Sequence, residues 1–191
     1  MEPILKHNVI EDSTVVYDYL DKLPIEYRKQ YKGMYGRTMS VPRGQASFTI
    51  NEDIHYNYKV SGGSPPNQVM CDTLQSITKR VNNKLGTNFN TILLNKYKNG
   101  EDHISFHMDK ETGWVENTGF ATLSFGATRD FQIKSNETNE VNTIPHENNM
   151  LIYMPYPMNQ QYKHSVPKRK RCIQNPRVRM GGAAREFSVS R

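Results

Sequence analysis

Short segments at residues 91–97, 104–109, 120–125, 131–134, 150–154 and 186–190, each apolar or alternating and bounded by turn residues, fill most of the second half of the chain. Segments of this length read as strands. Ahead of them lie two stretches with helical period. In residues 12–23, Asp12 or Ser13 can cap a helix whose Val16, Tyr19, Leu20 and Leu23 share one face, and Pro24 ends the pattern. The second stripe is stronger: Met70, Leu74, Ile77, Val81 and Leu85 recur at helical spacing, with Pro65-Pro66 before them and Gly86 after. Two helices followed by many short strands predict an α+β chain, a sandwich or jelly roll with helices covering a sheet. The 191 residues suffice for a substantial core. Residues 41–64 carry Pro, Gly, Arg and aromatic side chains without a period and read as a surface arm, the kind of segment that often carries function. Residues 135–149 are polar enough to be a long hairpin connection, and neither an internal repeat nor an interdomain linker stands out.

The formal charge of +6 and the pI near 9.2 favour a polyanionic partner, a nucleic acid first and an anionic membrane second. No apolar run approaches the ~20 residues of a membrane span, and Met1-Glu-Pro-Ile-Leu5 lacks a signal-peptide pattern. Cys71 and Cys172 allow at most one disulfide and cannot alone ligate a structural zinc ion. The expectation is an intracellular protein with free thiols, nuclear or cytoplasmic, without a membrane association, and monomeric.

His107-Met-Asp109 falls at the end of an expected strand, where residues two apart point to one face, so an imidazole and a carboxylate can converge on one ion. His164, placed after the apolar segment 150–154 and before Ser165-Val166-Pro167, is available as a third ligand. Two His and one carboxylate make the facial triad of non-haem Fe(II) oxygenases, which leaves open positions for co-substrate and dioxygen. His103 and His146 are the competing histidines and read as hydrogen-bonding or surface residues.

The surroundings of the triad carry more information than its spacing. Asn95-Lys-Tyr97-Lys-Asn-Gly100-Glu-Asp-His103-Ile-Ser-Phe-His107-Met-Asp109-Lys-Glu111, followed by Leu123-Ser-Phe-Gly126-Ala-Thr-Arg129-Asp-Phe131, closely resembles the AlkB family of Fe(II)/2-oxoglutarate dioxygenases, above all its duplex-DNA repair branch. The resemblance extends upstream through Tyr35-Gly-Arg37, Ser40-Val-Pro-Arg43-Gly-Gln45-Ala46 and Tyr58-Lys-Val-Ser61-Gly62. Downstream it continues through His164-Ser-Val-Pro167 and Arg169-Lys170-Arg171, so that it runs from roughly residue 34 to residue 177.

That likeness implies a double-stranded β-helix core of the jelly-roll or cupin type, with N-terminal helices covering the sheet. It divides the chain into a helical extension, residues 1–33, and a dioxygenase domain, residues 34–191, with a nucleotide-recognition arm at 34–64. His107, Asp109 and His164 match the iron ligands; Asn95 and Tyr97 match strand residues that contact 2-oxoglutarate. The far carboxylate of that co-substrate is met in the family by arginines on a terminal strand, spaced as in Arg185-Glu-Phe-Ser-Val-Ser-Arg191. Arg177, after Pro176 and before Val178, fits the local context better, but Ala183 stands where a second arginine belongs, so Arg177 is the alternative. Phe187 and Val189 depart from the family pattern, and residues 181–184 read as an insertion.

For the substrate, the resemblance implies methylated DNA, duplex preferred, with RNA or single-stranded DNA as an alternative. The lesions it points to are N1-methyladenine and N3-methylcytosine, cationic bases suited to an aromatic face and a carboxylate. Tyr58 matches the stacking wall, Glu111 the acceptor for the exocyclic amino group, and Tyr35 the wedge that fills the stack when a base is flipped. Arg37, Arg43, Gln45, Arg129, Lys168, Arg169, Lys170 and Arg171 are the remaining candidates at the substrate, the basic ones as phosphate contacts. The implied reaction hydroxylates the N-methyl group with dioxygen and converts 2-oxoglutarate to succinate and CO2; the hydroxymethyl product then releases formaldehyde. A catalytically degenerate nucleic-acid-binding jelly roll is the non-enzymatic alternative.

Overall fold

The computed structural model describes residues 2–27, 30–32, 37–54, 67–111, 113–169 and 177–183, with backbone alone at 26–27, 30–32, 67 and 177–183. The larger of two main sheets contains β1 (Ile4–His7), β12 (Met150–Met154), β9 (Phe120–Gly126), β14 (Arg177–Ala183), β7 (Thr91–Tyr97), β5 (Gly44–Thr49) and β2 (Glu26–Tyr27) in that spatial order, with β6 (Asn67–Val69) beside β5. The smaller sheet runs β11 (Val141–His146), β10 (Arg129–Ser135), β13 (Tyr162–Val166) and β8 (Ile104–His107). A separate ribbon pairs β3 (Gln30–Lys32) with β4 (Thr38–Ser40). The expected jelly-roll core is present.

Burial explains why the two sheets have different sequence patterns. In β12, Leu151 packs under the helices, while Met150, Ile152 and Met154 fill the space toward the smaller sheet. A strand covered on both faces reads as an unbroken apolar run. In β10, by contrast, Phe131 and Ile133 are buried and the residues between them are partly exposed, so the sequence alternates. In β7, Ile92 and Leu94 join the helix-side core, whereas Tyr97 belongs to the core between the sheets. Asn95 shares the parity of Tyr97 and thus the inner face.

The helix α1 (Ser13–Lys22) buries Val16 and Leu20, and α2 (Asp72–Leu85) buries Leu74, Ile77, Thr78 and Val81, as the stripes predict. Gly86, at φ 67°, takes the left-handed conformation that ends α2. The Lys96 ammonium on β7 holds the end of α1 through Asp21 Oδ1 at 2.7 Å.

Three expectations change. Residues 1–33 are more than a helical extension, because β1 and β2 supply edge strands to the larger sheet. Within the expected arm, Gly44–Thr49 is a fully buried strand between β7 and its neighbours β2 and β6, not a surface segment. Ala46 and Phe48 do alternate with Gln45, Ser47 and Thr49 and join the helix-side core, but two apolar positions beside Pro42, Arg43 and Gly44 make a weak strand signal. The last strand among the described residues is Arg177–Ala183, while the strand expected at 186–190 lies outside them; Gly181 and Gly182, expected in an insertion, are ladder positions opposite Leu93 and Ile92. A Gly-Gly-Ala run has poor strand propensity, and pairing on both sides overrides it.

Candidate active site

His107 ends β8, and its Cα pairs directly with that of His164 on β13. The ring centroids are 4.2 Å apart. Asp109 follows with Oδ1 at 3.5 Å from His107 Nε2 and Oδ2 at 3.9 Å from His164 Nε2. His107 Nδ1 lies 2.9 Å from the Ser105 carbonyl oxygen, which can only accept, so Nδ1 donates and Nε2 keeps its lone pair for an ion. His164 is 3 % exposed and packs against Phe120 and Phe131, at 4.8 and 5.6 Å between centroids. The ligand atoms of the three residues all lie within 4.8 Å of one another. Bonds of about 2.0–2.2 Å set neighbouring donors about 3 Å apart around a metal, so this cluster fits one ion with little inward movement.

Behind Asp109 stands Asn159, on the short helix α3 (Met158–Gln161) that leads into β13. Its Oδ1 accepts from the Asp109 N–H at 2.9 Å, and its Nδ2 donates to the Asp109 carbonyl at 2.9 Å and to Glu111 Oε1 at 2.8 Å. Gln160 Nε2 donates to the second Glu111 oxygen at 2.9 Å.

On β7, Asn95 Oδ1 accepts from Arg43 Nε at 2.8 Å and from Gln45 Nε2 at 3.1 Å. With its oxygen engaged by two donors, the amide nitrogen is the group left to bind a carboxylate. Tyr97 beside it is 1 % exposed. The β14 register sets Arg177 opposite Tyr97 and Gly126, and Arg179 opposite Asn95 and Ser124.

A model of the 2OG-Fe(II) oxygenase superfamily matches residues 11–185. The chain belongs to the 2OG-Fe(II) oxygenase superfamily. It is 32 % identical over 155 residues to the human DNA oxidative demethylase ALKBH2, covering 77 % of this chain and 58 % of that protein. The mouse protein of the same name is 34 % identical over 155 residues, covering 77 % of this chain and 63 % of that one. The chain thus spans about three-fifths of the length of these relatives. A solved structure titled OsALKBH1 superposes with a TM-score of 0.63 over 95 % of this chain and 97 % of that one, at 11 % identity, which is a likeness of fold. Fe(II), 2-oxoglutarate and O2 are the cofactor set of the superfamily, and the donor set of His107, Asp109 and His164 suits Fe(II).

Around this oxygenase site, several sequence candidates move. Arg129, expected at a phosphate, is 4 % exposed, and its guanidinium donates to the carbonyls of Asn99, Asp102 and Pro167 at 3.1, 3.0 and 2.7 Å. It is an internal clamp. Arg43 and Gln45, also expected at the substrate, are 5 % and 8 % exposed and turn inward to Asn95 because they enter an interior strand. Arg37 and Arg169 are exposed, as phosphate contacts must be. His146 is 1 % exposed, with Nε2 at the Met150 carbonyl, and His103 meets the Glu101 carbonyl; neither belongs to the cluster. Tyr35, Tyr58, Lys170, Arg171, Arg185 and Arg191 lie outside the described residues. Asn159 was not legible in the sequence, since Met158-Asn-Gln-Gln161 has no period and no motif.

Proposed function

We propose that this chain is an oxidative demethylase of N-alkylated bases in DNA, taking N1-methyladenine and N3-methylcytosine with duplex preferred. The observation that carries this reading is the convergence of His107, Asp109 and His164 at the open end of the β8–β13 pair, in a chain similar to proteins named DNA oxidative demethylase. The charge of +6 and the exposed Arg37 and Arg169 suit a phosphate backbone.

With Fe(II) and 2-oxoglutarate bound, the site supplies the oxidising power to hydroxylate an N-methyl carbon, O2 being consumed and 2-oxoglutarate leaving as succinate and CO2. The hydroxymethyl group is lost as formaldehyde, which restores the base without a protein nucleophile. His107 and His164 hold the ion through Nε2, and Asp109 supplies the carboxylate. Asn95 and Tyr97 orient 2-oxoglutarate, with Arg177 as the cation for its far carboxylate, a reading supported by its register opposite Tyr97. Glu111, two residues past the ligand Asp109, accepts from the exocyclic amino group of the base. Tyr58 stacks on that base, and Tyr35 fills the gap it leaves.

The test is release of formaldehyde and succinate from a duplex oligonucleotide bearing one N1-methyladenine, supplied with Fe(II), 2-oxoglutarate and ascorbate. Turnover by the wild type and none by Asp109→Ala is the expected result. Turnover confined to single-stranded DNA or RNA would overturn the duplex preference, and 2-oxoglutarate consumption at background on every substrate would overturn the enzymatic reading.

A further inference from the structure

We infer that Asn159 is a positioning residue that sets the metal ligand Asp109 and the carboxylate of Glu111 together, so that metal geometry and base recognition are fixed by one side chain. The inference rests on the proposed reading for the roles of Asp109 and Glu111. The strand β8 ends at His107, where the pairing with β13 also ends. Asp109 lies two residues beyond that end, with its carboxylate turned back toward the two imidazoles. The Asn159 carboxamide holds this backbone from the side, accepting from the Asp109 N–H and donating to the Asp109 carbonyl, each at 2.9 Å. A carboxamide carries the same donor and acceptor as a peptide group, so it engages the Asp109 backbone as a second strand would. The same Nδ2 reaches Glu111 Oε1 at 2.8 Å.

Three further observations make this arrangement more than a surface contact. Asn159 is only 4 % exposed, so its hydrogen bonds to Asp109 and Glu111 are partly shielded from water and losing them costs more than losing a surface contact. Met158, its neighbour, is 1 % exposed and anchors α3 in the core between the sheets. The helix α3 runs directly into β13, which carries His164. Asn159 thus links the segment bearing one ligand to the strand bearing another. Gln160 has a narrower part, touching Glu111 but not Asp109.

This division makes the inference testable residue by residue. Metal affinity is measured on the folded protein with Mn(II) as the probe, by the loss of its free-ion paramagnetic resonance signal. The Michaelis constant for methylated duplex DNA is measured separately. Asn159→Ala is expected to weaken Mn(II) binding about 10- to 100-fold, the usual range for residues that orient a ligand, and to raise KM as well. Gln160→Ala is expected to leave Mn(II) binding within twofold of wild type while raising KM severalfold with kcat nearly unchanged. Should Asn159→Ala fail to fold, Asn159→Asp carries the same test, because it keeps the size and removes the donor to both Asp109 and Glu111. Wild-type Mn(II) affinity in a folded Asn159 variant, or a loss of affinity in Gln160→Ala equal to that in Asn159→Ala, would overturn the inference. Failure of the wild type on methylated DNA with Mn(II) affinity intact counts against the substrate reading instead, and leaves the metal arm decisive for Asn159.

Discussion

His107 and His164 occupy directly opposed positions in the β8–β13 pair, and their rings lie 4.2 Å apart. Strand register, not loop closure, therefore brings the two imidazoles together. A slip of one residue would turn one of them to the other face of the sheet. Replacing either histidine with alanine is expected to lower turnover more than about 100-fold, beyond the loss typical of residues that merely orient a ligand. Succinate release measured with saturating Fe(II) checks this, and turnover within tenfold of wild type would contradict it.

Asn95 has its side-chain oxygen engaged by Arg43 and Gln45. In Asn95→Ala the proposed donor to the co-substrate disappears, and Arg43 Nε loses the side-chain oxygen that accepts from it. KM for 2-oxoglutarate is expected to rise at least about tenfold, one charge-assisted hydrogen bond being worth roughly 1.5–3 kcal/mol. Arg177→Ala should raise the same constant, and Arg185→Ala should not. The reverse order would assign the far carboxylate to the later arginine.

Arg129 and Arg169 separate a structural cation from a surface one. Arg129→Met removes the buried guanidinium donor from the carbonyls of Asn99, Asp102 and Pro167, and the expected cost is at least about 2 kcal/mol, seen as a lower urea midpoint. Arg169→Ala should leave that midpoint unchanged and reduce the salt dependence of DNA binding by about one phosphate contact. Equal effects on the midpoint would remove the distinction.

Leu94 is fully buried on the helix side of β7. Leu94→Ala is expected to cost about 2–5 kcal/mol, the range for a cavity that rigid surroundings cannot close. Chemical denaturation monitored by circular dichroism measures it, and a loss below about 1 kcal/mol would mean that α1 and α2 settle into the space.

The hydroxyl of Tyr19 lies 2.8 Å from Cys71 Sγ, and that hydrogen bond, with burial and the nearby thiol, pushes its pKa up to about 12 from 10.0. The protonated form is favoured in the fold. Any stability this brings is complete below pH 10.0 and is lost as pH rises through about 12, so neutral pH lies outside the window. In Cys71→Ala the tyrosinate absorbance attributable to Tyr19 should appear at lower pH. Superimposable titration curves for the variant and wild type would show that the thiol has no such effect.

Much of the architecture was legible before any coordinates. The strands at 91–97 and 150–154 match the observed bounds because turn residues flank them and tertiary pairing runs their full length. Both helices were marked by their stripes, although α2 starts only at Asp72, leaving Met70 buried just ahead of it. The strand Gly44–Thr49 was only weakly legible, since its alternation rests on two apolar residues, Ala46 and Phe48, set beside Pro42, Arg43 and Gly44. Not legible was β14, where two glycines occupy a central strand.

The sequence by itself determined the ligand set. His107 and Asp109 are two residues apart, a spacing that on the expected strand puts an imidazole and a carboxylate on one face, although β8 itself ends at His107. Only the tertiary structure decided what stands around them: the pairing that brings His164 opposite His107, the inward turn of Arg43 and Arg129, and the Asn159 carboxamide at Asp109. These are contacts between segments distant in the chain. Local periodicity reports which face a residue takes, whereas register and packing choose its partner.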